Sequence, residues 1–280
     1  MPIHDQSYRR YGGHRAPLGR SWTVIAQAGI MNMLRKRMFI ILLLFAWVPF
    51  VVHAVLVYFS VNYPQTASWF SPDAKMFRGF LEWQDFFVFV MTIYVGAGLI
   101  ANDRRANALQ IYLSKPLLRA EYIAGKAAVL FTFLMLVTFL PAMLLLFLQV
   151  MFSGSFEFIR NNLFLFPAIT VATVLQATLA SLSMLALSSL SKSARYVGIL
   201  FAGIIFFTLA IFGVLYLITG SSGVSWIAVT TNLEQVLDVI FRQPPRFDTP
   251  WQVSLVVVLG LIALSVSILE RRVRGVEIVT

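Results

Sequence analysis

Charged residues whose spacing could bind a partner are concentrated in residues 102–126, the only long charged stretch between two strongly apolar runs of the sequence. Asp103 opens this stretch, where the N-terminal end of a helix favours negative charge. Apolar residues then recur at the i, i+3 and i+7 positions of a helix: Ala106, Leu109 and Leu113. Pro116 ends the pattern at about residue 114 or 115. The stretch predicts a short amphipathic helix shaped to be held by a partner, which is binding chemistry rather than catalysis.

Residues that could carry out catalysis are missing from the sequence. A phosphate-binding P-loop would need glycine in place of Ala120 and a hydroxyl residue in place of Ala127, so Gly125-Lys126 is expected to be a loop-to-helix junction at headgroup level. The three histidines are too scattered for a metal cluster, and the absence of cysteine excludes thiolate ligands. We therefore expect no catalytic residue, no metal and no cofactor in this chain.

The composition is that of an integral membrane protein. Apolar residues make up 59% of the chain, mean hydropathy is +0.81, and charged residues make up 12%, about half the share of a soluble domain. The first 20 residues are polar and basic, and they contain no apolar core of a secretory signal.

Six apolar segments are each long enough to cross the hydrocarbon layer as a helix, which takes about 20 residues. They lie near 38–60, 84–101, 127–151, 165–190, 197–219 and 252–269. Of the 22 basic residues, 17 fall on one side of this plan and 5 on the other, which predicts that both termini are cytoplasmic. Tryptophans mark the expected outer ends: Trp69, Trp83, Trp226 and Trp251. The charge of +10 thus reflects membrane topology, and no nucleic-acid partner is expected.

The resulting domain plan has four parts: a polar cytoplasmic arm (1–20), an interfacial amphipathic helix (21–37), a single six-helix transmembrane domain (38–269) and a cytoplasmic tail (270–280). The interfacial helix is predicted from a one-sided apolar stripe that ends in three basic residues. The residues concerned are Trp22, Ile25, Ile30, Met33, Arg35, Lys36 and Arg37. The alternative is an early start of the first span.

The fourth span is rich in hydroxyl groups, which in membranes usually mark close helix packing. Some of its polar residues are also candidates for lining a substrate path: Thr170, Thr173, Gln176 and Ser181.

His53 is expected to be a hydrogen-bonded structural residue, and Glu82 and Asp85 are expected at the solvated outer mouth of the second span. Such a scarcity of buried charges indicates an energy source outside the bilayer. The outer connector 220–251 contains an amphipathic stretch before Pro244-Pro245 and could be a lid or a surface loop.

The 102–126 stretch resembles permeases of the type-2 exporter class of ABC transporters. The resemblance lies in Asp103, the leucine-rich turn 109–113, Ser114-Lys115-Pro116 with Arg119, and Gly125-Lys126. The sequence departs from the family pattern at three positions: Asn107, Gln110 and Leu118.

The resemblance implies an all-α integral membrane protein with six transmembrane helices, the N-terminal interfacial helix and a short cytoplasmic coupling helix between spans 2 and 3. It implies a separate ABC ATPase subunit that binds ATP and Mg, a second permease copy or paralogue, and a location in a cell membrane, the inner membrane of a bacterium. Short helices near 220–251 would dip back into the membrane. The residues expected to contact the ATPase are Asp103, Arg104, Arg105, Leu109, Gln110, Leu113, Lys115, Pro116, Arg119, Lys192 and Arg195.

Two other functions remain open from the residues. A self-sufficient secondary transporter or channel would have an inverted repeat, broken helices and buried charges; Pro49 and Pro141 could break helices 1 and 3, but the charges are missing. A non-transporting membrane assembly factor is the third alternative. The transported substrate cannot be read from the sequence.

Overall fold

The computed structural model describes residues 20–63, 73–108, 117–153, 160 and 162–273. Expectations for most of the N-terminal arm and for the end of the C-terminal tail lie outside these residues. The described residues are helical, they include no strand, and six of their helices are long and apolar enough to cross a membrane. The chain is therefore an all-α, multi-pass membrane protein, as the sequence predicts.

The α-helices are numbered in chain order. They are α1 (Ser21–Leu34), α2 (Arg37–Ala46), α3 (Val48–Asn62), α4 (Ala74–Met91), α5 (Gly98–Arg105), α6 (Arg119–Val137), α7 (Phe139–Ser153), α8 (Leu165–Leu190), α9 (Ala194–Thr219), α10 (Val229–Ile240) and α11 (Trp251–Arg272). A π-helical turn, Thr92–Gly96, joins α4 to α5, and a 3-10 turn, Ser222–Ile227, precedes α10.

The six spans agree with the predicted segments; span 4 has the predicted bounds, and the other five are longer. They are Arg37–Asn62, Ala74–Arg105, Arg119–Phe152, Leu165–Leu190, Ala194–Thr219 and Trp251–Arg272. Span 2 begins at Ala74 rather than near residue 84, because its first turns carry charged residues that lower the local hydropathy although they are helical. The helix of span 6 continues to Arg272, three residues beyond the predicted end of the transmembrane domain at residue 269.

Prolines interrupt two spans, as the sequence suggests. The break in span 1 falls at Trp47, just before Pro49, and the break in span 3 falls at Thr138, just before Pro141. Proline has no backbone N–H and its ring clashes with the preceding turn, so it is tolerated only where a new helix starts. The hydroxyl of Thr138 donates a hydrogen bond to the carbonyl of Leu134, 2.8 Å away, beside the second break.

The connections between spans alternate between two ends of the bundle. The end that carries connections 106–118 and 191–193 together with α1 is called the basic end here, and the end that carries α10 is called the lid end. Spans 2, 3 and 4 form the centre of the bundle. In the most apolar 18-residue stretch of each of these spans, 50–56% is buried, against 17–22% in spans 1, 5 and 6. One apolar cluster around Phe39 and Leu130 fills the basic half, and a second around Phe80 and Leu146 fills the lid half.

Helix α1 is separate from span 1 and packs along α6. A break at Arg35 and Lys36 divides α1 from α2, so the alternative of an early start to span 1 is wrong. Two glycines allow the close approach: a Cβ on Gly29 would lie 2.5 Å from Val129 Cγ2, and one on Gly125 would lie 2.8 Å from Ile25 Cβ. Part of the predicted apolar stripe therefore faces a protein helix.

The 220–251 connector is folded against the bundle rather than being a surface loop. Its helix α10 buries polar side chains that satisfy neighbouring carbonyls: Asn232 Nδ2 donates to Trp226 O over 2.8 Å, and Gln235 Nε2 donates to Thr249 O over 3.0 Å. Leu237 and Phe241 belong to the lid-end apolar cluster. Helix α10 is thus a packed lid, and it ends before Pro244 as expected.

Candidate functional site

The ends of spans 2 and 3 are fastened together at the base of the 106–118 connection. Lys126 Nζ lies 2.7 Å from Asp103 Oδ2, and the hydroxyl of Tyr122 donates a 2.7 Å hydrogen bond to the same oxygen. The lysine also lies over the ring of Tyr122, 5.6 Å from its centroid. These three residues, Asp103, Tyr122 and Lys126, are called the clasp below. The clasp fixes where the charged connection leaves the bundle and where it returns.

Two sequence expectations about this base are wrong. Asp103 does not open a new helix, because span 2 continues through α5 to Arg105 and places Asp103 in its last turn. A carboxylate is unfavourable at a helix C-terminus, and Lys126 offsets that cost. Gly125-Lys126 is not a loop-to-helix junction, because α6 already begins at Arg119. The chain turns away after α5 at Asn107, whose φ is 52°.

The base of the first connection also contacts the second basic-end connection. A guanidinium nitrogen of Arg104 donates a hydrogen bond to the carbonyl of Ser189, near the end of α8. Close by, a Cβ on Gly98 would lie 3.7 Å from the Cβ of Ala194, the first residue of α9. The end of α5 therefore lies next to the end of α8 and the start of α9.

The side chain of Ser188 supports the irregular part of span 2. Its hydroxyl donates to the carbonyl of Ala97 over 2.8 Å and accepts from the backbone N–H groups of Ile100 and Ala101, at 3.2 and 3.0 Å. The π-helical turn just before these residues disrupts the regular ladder and leaves backbone groups that need partners. A buried hydroxyl of span 4 supplies them, which joins the two spans close to the basic end.

The remaining coupling candidates divide into two groups. Some lie outside the described residues: Leu109, Gln110, Leu113, Lys115 and Pro116. Others expose their side chains at the basic end: Arg105, Arg119, Lys192 and Arg195. Glu121 lies inside, where it accepts a 3.1 Å hydrogen bond from the N–H of Leu118 and so caps α6.

The residues predicted for the interfacial helix do not all face the same environment. Met33 is buried, Ile25 and Ile30 are half-buried against the basic-end cluster, and Trp22 is 41% exposed. The basic residues that follow are exposed: Arg35, Lys36 and Arg37. Ser21 does not cap the helix, since the N-cap position is Arg20.

Of the four residues expected to line a path, Gln176 lines a cavity inside the helix bundle. This cavity has a volume of about 420 Å³ and lies between α4, α8, α9, α10 and α11; it is called the bundle cavity below. The hydroxyls of Thr170, Thr173 and Ser181 bond carbonyls of their own helix instead. For Thr173 and Ser181, which are buried, the structure favours the packing interpretation of the sequence, whereas Thr170 is exposed and lines a second, open pocket between α8 and α11.

The lid end contains a partly buried ion cluster that sequence reasoning missed. Arg78 Nε donates to Asp238 Oδ1 over 2.7 Å, and both side chains are almost fully buried. Arg246 makes two 2.8 Å hydrogen bonds to Glu82, and its Nε lies 2.8 Å from Asp238 Oδ2. The hydrogen bonds to Glu82 raise the pKa of Arg246 above its ordinary value. The cluster holds the lid helix α10 on span 2.

Two further carboxyl groups, Asp85 and Glu234, lie beside this cluster and line the bundle cavity. The side-chain amide of Gln176 donates a hydrogen bond to Asp85, and burial raises the pKa of Glu234. The expectation of a solvated outer mouth is confirmed for Glu82, whose side chain is 44% exposed, and is wrong for Asp85, which is half-buried. The sequence did carry a signal, because Arg78, Glu82 and Asp85 recur at helical spacing upstream of the apolar run.

His53 has the structural role expected of it. It is buried, its Nδ1 lies 2.9 Å from the carbonyl oxygen of Pro49, and its ring makes edge contacts with Phe80 and Trp83.

Comparison of the sequence with protein-family models and with curated proteins found no match.

Proposed function

We propose that this chain is the membrane-spanning permease subunit of an ATP-driven exporter of the type-2 ABC class, coupled to a separate ATPase through the 106–118 connection. The observation that carries the proposal is the clasp at the base of that connection. A connection that only joined two helices would need no charged pair fixing both of its ends. One that receives force from a partner needs a rigid base, and Asp103, Tyr122 and Lys126 supply it.

The route for such a force runs from the clasp into the bundle. Span 2 continues from Asp103 through α5 to the π-helical turn, and Ser188 fastens this region to span 4. The contact from Arg104 to Ser189 ties the second basic-end connection to the same point. Movement of the partner would therefore be transmitted to spans 2, 3 and 4 together, and these spans form the centre of the bundle.

The proposal includes a second permease copy or paralogue. Spans 1, 5 and 6 leave most of their apolar surface uncovered, which suits contact with lipid and with another six-helix unit. The basic end would face the cytoplasm, in keeping with the uneven distribution of basic residues.

The test is association with an ATPase. Leu109→Asp together with Leu113→Asp places charge on the apolar face of the proposed coupling helix while leaving the six spans untouched. We expect the tagged wild-type chain to co-purify with a protein that contains GxxxxGK[ST], and the double variant to lose it. Val24→Asp on α1, where the side chain is 67% exposed, is the matched control and should keep the partner. Retention of the ATPase by the double variant would contradict the proposed contact.

One observation favours the secondary-transporter alternative. Asp85 and Glu234 line the bundle cavity, and intramembrane carboxyl groups are typical of proton- or ion-driven transport. The two functions differ in energy source: transport that stops with a protonophore but continues without a bound ATPase would favour the alternative.

A further inference from the structure

The bundle cavity combines apolar walls with a negative end. Between Gln176 and Leu187 its α8 wall covers eleven helical steps, about 16 Å at the rise of an α-helix. Aromatic rings from α4 and α9 face one another along it: Phe89 stacks on Phe201 at 6.0 Å and meets Phe206 edge-on at 5.5 Å. A volume of about 420 Å³ lies within the range of small-molecule sites, roughly 300–1,000 Å³.

The lid end of this cavity carries two carboxyl groups, Asp85 and Glu234, on which Arg78 acts electrostatically without forming an ion pair with either. In the ion cluster Arg78 pairs with Asp238, and Arg246 pairs with Glu82 and Asp238. Asp85 and Glu234 have no ion pair with any described residue. The two unpaired carboxyl groups are thus the ones that line the cavity, which favours a cation and opposes an anionic headgroup.

Polar groups without partners point to a ligand independently of the charge. Gln176 is 3% exposed and donates to Asp85, but its carbonyl oxygen Oε1 has no hydrogen-bond partner among the described residues. Thr92 is fully buried at the start of the π-helical turn, and its hydroxyl also has no partner there. Both side chains line the bundle cavity. Buried polar groups are normally satisfied, so the missing partners of these two groups mark this part of the cavity wall as one where a polar ligand group would be stabilised.

We infer that the bundle cavity is a binding site for a lipophilic cation, a molecule with an apolar aromatic body and one ammonium or phosphonium charge. The charge would lie between Asp85 and Glu234, and the body would lie along the phenylalanines, whose ring faces attract cations. A small hydrated metal ion would lose its water against these apolar walls and is disfavoured. The inference gives the substrate class of the proposed exporter and in that sense rests on it, although binding itself requires no ATPase.

The experiment measures equilibrium binding to the purified chain in nanodiscs, without any ATPase, so its failure would leave the ATPase association untouched. The probes are tetraphenylphosphonium and tetraphenylborate, which have the same shape and opposite charge. We expect saturable binding of the cation and at least about tenfold weaker binding of the anion, a difference of about 1.4 kcal/mol.

Variants of residues that line the cavity test whether the cation binds there. Asp85→Asn and Glu234→Gln should each weaken binding of the cation about tenfold, whereas Asp248→Asn, which removes an exposed carboxylate outside the cavity, should not change it. Ser183→Phe fills the cavity without changing the charge and should abolish saturable binding even if a neutralised variant fails to fold. Equal binding of the two ions, unchanged affinity in folded neutralised variants, or no saturable binding of the cation would each overturn the inference.

Discussion

Ser188 is the side chain on which the irregular geometry of span 2 depends. Replacing it with alanine leaves the N–H groups of Ile100 and Ala101 without their acceptor in a buried place. We expect Ser188→Ala to lower the free energy of unfolding by about 1–3 kcal/mol, the usual cost of unsatisfied buried groups. Thermal unfolding of the purified protein in detergent measures this. Ser267→Ala removes an exposed hydroxyl that bonds its own helix and should have little effect; equal losses in both variants would contradict the assigned role.

The clasp is expected to act as a coupled unit. Asp103→Asn and Lys126→Met should each destabilise the protein, but the double variant should lose less than the sum of the two, because the second change removes a charge that the first has already left unpaired. We expect a coupling free energy of about 0.5–3 kcal/mol in this double-mutant cycle. Glu270→Gln, at the exposed end of α11, is the control. Additive losses would show that the pair does not stabilise the base of the connection.

Sequence reasoning succeeded for residues with local roles and failed for residues whose partners are distant in the chain. His53 bonds a carbonyl one helical turn away, so its structural role could be predicted. Arg78 and Asp238 are separated by 160 residues, and neither helical periodicity nor hydropathy indicates which opposite charge will be adjacent. The partner of Asp103 was missed for a similar reason, because the helix was expected to start where it actually ends.

At the scale of elements, the docking of α1 on α6 depends on the absence of a side chain at Gly125. A Cβ there would lie 2.8 Å from Ile25 Cβ and 2.9 Å from the carbonyl oxygen of Trp22. We expect Gly125→Ala to push α1 away and to destabilise the protein by about 1–3 kcal/mol, as over-packing does.

The matched control for this change is Gly203→Ala on α9, where a Cβ meets nothing within 4 Å. There we expect no loss, or a gain of up to about 1 kcal/mol from the better helix propensity of alanine. Both variants are compared by thermal unfolding. Gly125→Ala with the stability of Gly203→Ala would mean that α1 is not held where the structure places it.

The helices themselves were predictable because apolar runs and prolines are local signals, and the breaks at Trp47 and Thr138 follow directly from Pro49 and Pro141. The start of span 2 was not predictable, because its first turns are amphipathic and their charged residues are neutralised by the lid. The sequence also does not indicate whether α10 packs against the bundle. Its apolar spacing suits a lid or a surface helix equally, and the difference comes from the distant residues that bury it.

At the scale of the whole molecule, the distribution of basic residues predicts that the basic end is cytoplasmic. Reporter fusions after residue 273 and within the 242–246 turn of the lid end should give opposite locations, with the first in the cytoplasm. The physical reason is that basic loops near a span are retained on the cytoplasmic side. Reporters on the same side would contradict the six-span arrangement, and reversed locations would contradict the coupling of the basic end to a cytoplasmic ATPase.

We propose that ATP hydrolysed by a partner ATPase moves this chain. The chain has no native cysteine, so single cysteines introduced at the exposed residues Lys192 (basic end) and Pro245 (lid end) can carry spin labels. The distance between the two copies of each label is measured by pulsed electron paramagnetic resonance in the purified complex, without nucleotide and with ATP trapped by vanadate. We predict that trapping changes the distance distribution at both ends, and that the change disappears when the P-loop lysine of the ATPase is replaced. Distance distributions that stay the same at both ends while the bound ATPase traps nucleotide would contradict the proposal that ATP hydrolysis moves this chain.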